Sequence, residues 1–195
     1  ISAGVIFGAA LPVAIMLRRS PYAPADYGLT LQRWRRVLGE ALLYTVPILA
    51  LATLLKGAWL LASPGHRKMA LLDPLASGSS TPSWGIWLLA VVSYSCLSAL
   101  QEFFARCGLQ ASMLLFDGRS GARSNWRVIL IANLMFASAH AYLGLRFMLA
   151  AFIPGLFWGW LFDRQRSLLG VAVSHALIGV WALFVIRLQV IVGGQ

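Results

Sequence analysis

Apolar residues fall in six runs, at about 1–17, 38–62, 83–116, 128–145, 147–162 and 168–192. Short stretches rich in Arg, Gly, Pro and Ser separate them. A helix crossing about 30 Å of hydrocarbon needs about 20 residues. Each run therefore predicts a membrane helix, with the first and fifth short for a full crossing. As one straight helix the 83–116 run would measure roughly 50 Å, at about 1.5 Å per residue. That length predicts a rod that tilts, bends or leaves the bilayer. The stretch SPGHRKMALLDPLASGSSTPSW (63–84) breaks any helix, with Met69 to Leu75 at the interface. Gly155-x-x-x-Gly159 and Gly170-x-x-x-Ser174 predict helix faces that approach closely in lipid.

Composition turns these runs into a fold class. The 195 residues are 59% hydrophobic and 11% charged, with a mean hydropathy of +0.77. A soluble domain carries about 25% charged residues. The expected fold is all-α, a polytopic membrane helix bundle of about six transmembrane helices, forming a single domain over 1–195. No internal repeat or low-complexity tract is visible. Six crossings place ten Arg on one side, in 18–36, 117–127 and 163–167. The other side holds Arg67, Lys68 and Arg146. The positive-inside bias makes the Arg-rich side cytoplasmic and both ends of the chain external. The net charge of +10 is thus accounted for by topology, and a nucleic-acid partner is not expected, because the basic residues do not gather on one face. Trp34, Trp59, Trp84, Trp87 and Trp126 lie near run ends, as in an interfacial aromatic belt. Cys96 and Cys107 have no metal or redox spacing and read as membrane-buried or cytoplasmic thiols. The chain opens with Ile, and its first apolar run has no charged residues before it, unlike a signal peptide. This start is expected of a piece of a longer protein.

Four polar residues do not belong in lipid. Glu102 and Arg106 lie in the third run, His140 in the fourth and His175 in the sixth. Ionisable residues inside a span are functional candidates by default. Glu102 and Arg106 stand at i and i+4, sharing a helix face in the favourable order. The pair serves either as a self-neutralised structural bridge or as part of a catalytic site. His140, four residues after Phe136, sits among Ala137, Ser138, Ala139 and Ala141, which would admit a neighbouring helix. A carboxylate can take a proton from water, and imidazoles can assist it or donate to an oxyanion. Glu102, His140 and His175 can instead hold Zn²⁺ with water in the fourth position, although no H-E-x-x-H is present. His66, in the 63–84 connection, reads as a solvated residue.

These residues give the chain a resemblance to the CPBP family of intramembrane proteases, which includes the type II CAAX prenyl proteases and the Abi bacteriocin-immunity proteins. That family carries E-E-x-x-x-R, F-x-x-x-H and H-x-x-x-N on separate helices. The corresponding stretches here are QEFFAR (Gln101, Glu102, Arg106), FASAH (Phe136, His140) and HALIG (His175, Gly179), and the likeness covers about 85–180. The resemblance implies an integral protein of a bacterial inner membrane, in contact with lipid and cutting a peptide or protein substrate that includes prenylated ones. It implies that His140 assists the base, His175 serves the oxyanion and Arg106 orients the glutamate. Both a metalloprotease and a metal-free glutamate mechanism are attached to the family. Gln101 and Gly179 depart from the pattern. A carboxamide is not a general base, and glycine offers no side-chain donor. A one-residue shift turns a side chain by about 100°, so Glu102 takes over only if its helix is rotated or locally distorted.

Three readings follow. The first is a CPBP-type endopeptidase using Glu102, His140 and His175. The second is a relative that binds without cutting, as an immunity or scaffold protein. A transporter with Glu102 as proton relay comes last, because no inverted repeat or pair of broken helices is visible.

Overall fold

The structure, a computed structural model, describes residues 3–63, 70–74, 84–116 and 125–187. His66, most of the 63–84 connection, Arg119 and Arg123 lie outside these residues. Each of the six apolar runs contains helix, and among the described residues there is no strand. They are α1 (Ala3–Arg19), α2 (Trp34–Ala62), α3 (Trp84–Glu102) continued by a π-helical segment (Phe103–Ala111) and α4 (Ser112–Phe116), then α5 (Trp126–Ser138), α6 (Leu145–Gln165) and α7 (Leu168–Val180). A second π turn, Trp181–Val185, extends α7. Four helical stretches are long and apolar enough to cross a membrane: 34–62, 84–116, 145–165 and 168–185. With 17 and 13 residues, α1 and α5 are shorter than a full span. The chain is a polytopic helical membrane bundle.

Two expectations about the runs resolve in detail. The long third run does form one rod, and it changes helix type after Glu102 instead of continuing as uniform α-helix. The fourth run is not one helix. It breaks after Ser138, so His140 lies on a turn and not inside a helix as expected. The cause is local. The His140 ring nitrogen Nδ1 bonds the Phe136 carbonyl at 2.9 Å, the group its own backbone N–H would use in an α-helix. That N–H goes to Ala137 O instead, also at 2.9 Å. Gly144 then takes φ +100°, a left-handed value open to glycine, and starts α6.

The helix contacts follow the small residues. A Cβ on Gly155 would overlap the Asn133 side chain, and one on Gly159 would stand 2.8 Å from Ile129 Cγ2 and 3.0 Å from Arg106 Nη1. The expected G-x-x-x-G face therefore packs α6 tightly on α5 and on the π segment. On α7, Gly170 meets Val37 of α2, and Ser174 shares a 2.7 Å hydrogen bond with Thr45. Trp181 donates to Thr53 Oγ1 at 2.9 Å, a second tie between α7 and α2. Such interhelical bonds average about 0.6 kcal/mol each in lipid, so packing dominates. On α1, Val13 rests on Gly108 of the π segment.

The two ends of the bundle differ. At one end the 3₁₀ turn Pro24–Tyr27 tucks against the α6–α7 junction, where Leu168 N–H donates to Gly28 O at 2.9 Å and Gln165 donates to Val37 O at 2.9 Å. Stretches 18–36 and 163–167 thus share one end, as their arginines predict. At the other end buried Lys56 donates to the carbonyls of Ala70 and Leu71 at 2.8 and 2.9 Å, and Asp73 N–H bonds Val185 O. Trp34, Trp84 and Trp126 are each the first residue of a helix and are exposed, as an interfacial belt requires. Both cysteines are free thiols, Cys107 buried and Cys96 exposed.

Substitution of Gly159 by Ala is expected to cost about 1–3 kcal/mol by overpacking. Gly39, on α2, has nothing within 4 Å of a Cβ, so Gly39→Ala is expected to be neutral or stabilising by up to about 1 kcal/mol. Equilibrium unfolding of both variants in detergent checks the opposite signs.

Candidate active site

The site is built on the junction between α3 and the π segment. A π turn closes its hydrogen bonds five residues apart and is frequent at functional sites. The π segment begins one residue after Glu102. Here it presents Glu102, Arg106 and Gln110 on one face, all with no exposed surface. Arg106 Nε donates to Glu102 Oε2 at 2.8 Å, and Nη1 donates to Gln110 Oε1 at 3.1 Å. Arg106 Nη2 crosses to α6 and donates to Gly155 O at 3.0 Å, while Gln110 Nε2 donates to Gly159 O at 2.9 Å. The two glycines thus admit α5 and also expose their carbonyls to this polar strip.

The other carboxylate oxygen faces α7. His175 Nδ1 lies 2.7 Å from Glu102 Oε1. A carboxylate paired with Arg106 only accepts, so Nδ1 carries the proton and a neutral His175 keeps a lone pair on Nε2. His175 is two turns into α7, about 10 Å along the axis from Leu168. The Trp158 indole stacks on its ring, with centroids 3.8 Å apart and planes within 13°. Phe136 lies between the two histidines, its centroid 4.9 Å from His140 and 6.2 Å from His175. The Arg106 guanidinium carbon stands 5.8 Å from the same ring. His140 also stacks on Phe147, at 6.3 Å. Its Nδ1 donates to a carbonyl, so Nε2 is again the lone-pair nitrogen.

Glu102, Arg106 and His175 are in direct contact, and His140 joins them across one phenylalanine ring. The imidazole set against Glu102 is that of His175, where the resemblance implies His140 as the partner of the base. Gln101 is half-buried and makes no hydrogen bond to the described residues. The expected zinc set of Glu102, His140 and His175 does not fit as arranged. Among the described residues no three His, Cys, Asp or Glu side chains are grouped to hold a metal ion. Glu102 engages one oxygen with Arg106 and the other with His175.

Sequence reasoning missed Gln110, Asn133 and Trp158. Gln110 continues the four-residue spacing of Glu102 and Arg106, a signal that was readable. Asn133 is an amide inside an apolar run, and its Nδ2 donates to Phe152 O at 2.9 Å. Trp158 sits between Gly155 and Gly159 and looked like one more apolar residue.

Compared with known protein families, residues 82–181 match the type II CAAX prenyl endopeptidase Rce1-like family, just over half of the 195 residues. The chain belongs to this family. Neither the curated proteins nor the solved structures compared with it give a match. The Rce1-like region holds the residues of this site, from Glu102 to His175. Family and apolar helices together make the chain an integral membrane protein of the CAAX-protease type.

Removing one member of a buried ion pair costs about 3–5 kcal/mol, because the other charge is left uncompensated. Arg106→Leu is expected to destabilise by that amount, and adding Glu102→Leu should recover most of it. Urea unfolding of the single and double variants in one detergent measures the recovery.

Proposed function

We propose that this Rce1-like protein is an intramembrane endopeptidase in which Glu102 and His175 act together on a water molecule. The observation that carries the reading is the 2.7 Å contact between His175 Nδ1 and Glu102 Oε1, closed from behind by Arg106. Arg106 holds the second carboxylate oxygen at 2.8 Å and so orients Glu102. Glu102 holds His175 in the tautomer with a free Nε2 and stabilises the imidazolium that forms, the role a buried carboxylate plays in hydrolytic triads. Water adds to the scissile carbonyl carbon as its proton passes to Nε2. Collapse of the tetrahedral species breaks the C–N bond, and the proton passes to the leaving amine. His140 faces the same aromatic wall and serves the leaving group or the water. No step uses a metal. The family description makes a peptide bearing a prenylated cysteine the first substrate class to test.

The binding-only alternative is favoured by Gln101, which stands in place of a motif carboxylate. One experiment separates the two readings. Purified protein in liposomes is assayed against prenylated and unprenylated peptides. Wild-type cleavage is expected to persist with chelator and to fall by about 10²–10⁴ in both Glu102→Gln and His175→Ala, the range for loss of a general base or its orienting group. Binding of peptide without cleavage by wild type, with cleavage appearing in Gln101→Glu, would establish the alternative.

A further inference from the structure

The proposed chemistry leaves the oxyanion without a donor. Arg106 is turned to Glu102, Gln110 and Gly155 O, and His175 is engaged as part of the base. Position 179, one turn beyond His175 on α7, is glycine and offers no side chain. The space above it is nevertheless filled. A Cβ on Gly179 would overlap the hydroxyl and Cζ of Tyr94, so the phenol end of Tyr94 lies directly on the α7 backbone there. Tyr94 belongs to α3, two turns before Glu102. Its ring stands edge-on to His175, with centroids 6.2 Å apart, and is held on the other side by Phe184 at 5.9 Å. Tyr94 is only partly buried, and its hydroxyl has no hydrogen-bond partner among the described residues.

We propose that Tyr94 donates its O–H to the oxyanion, and that Gly179 is there to admit it. The inference rests on the protease reading of the same site. An oxyanion hole needs a fixed donor aimed at where charge develops, and a tyrosine hydroxyl serves. Two ring contacts and the α7 backbone fix this one, so its orientation is set before substrate arrives. When water adds to the carbonyl carbon, the π electrons of the C=O bond move to oxygen. That oxygen accepts the Tyr94 hydrogen bond, and no proton is transferred from the phenol. Tyr94 would then be a catalytic residue, and Gly179 a positioning residue acting through it.

The test compares wild type, Tyr94→Phe and Tyr94→Ala/Gly179→Asn in liposomes. Its second readout is the affinity of each for a peptidyl phosphinate, whose oxygen on tetrahedral phosphorus mimics the oxyanion. Tyr94→Phe keeps the ring contacts and is expected to lower kcat by about 10²-fold, the effect of losing one such donor, with KM little changed. Phosphinate affinity should fall by a similar factor, and affinity for the uncleaved peptide should not. The double variant returns a donor to the same space and is expected to regain part of kcat relative to Tyr94→Phe. Active wild type with Tyr94→Phe within twofold in kcat and phosphinate affinity would overturn the oxyanion role alone. A wild-type protein that cleaves no peptide and binds phosphinate no better than peptide would overturn both this and the protease reading.

Discussion

A guanidinium with no exposed surface is the constraint on which this structure turns. Arg106 must direct its N–H groups to acceptors, because lipid offers none and an unpaired buried charge is costly. It finds a carboxylate on its own rod, an amide one turn further on, and a backbone carbonyl on α6. The residue that supplies this carbonyl, Gly155, lacks a side chain and so also admits Asn133 and Phe136 of α5. A buried glutamate, a helix-packing glycine and an aromatic wall are therefore bound to one cation. Displacing any of them would disturb the rest.

The ring system around His175 complements that cation. Trp158 and Phe136 keep the imidazole in place without competing for its polar atoms. They also lower the local dielectric, which strengthens the contact with Glu102 and raises the cost of leaving either partner alone. The histidines are thereby fixed by packing as much as by hydrogen bonding, and Phe136 serves both.

Much of this was legible in the residues. Six apolar runs announced membrane helices, and the spacing of Gly155 with Gly159 announced a closely packed helix face. Glu102, Arg106, His140 and His175 stood out because charge and imidazole are rare in such a composition. What could not be read was which imidazole meets the carboxylate. That depends on rotation of α7 about its axis, set by Gly170 and Ser174 against α2. Nor was the turn at His140 readable, since one ring nitrogen takes the carbonyl the helix needed. Tyr94 carries no motif. Its phenol fills the space that a side chain at Gly179 would occupy.

The π segment has one further consequence. In a rod of uniform pitch, every residue's angular phase is fixed by its count from any other. A change of pitch at Phe103 frees the two halves from that bookkeeping. The half ending at Glu102 packs chiefly on α7, and the π segment beyond it packs on α5, while α1 lies against both. Glu102 can then face His175 while the residues beyond Phe103 face α5. The direction a catalytic carboxylate points is thus a property of where the pitch changes, as well as of its place in a motif.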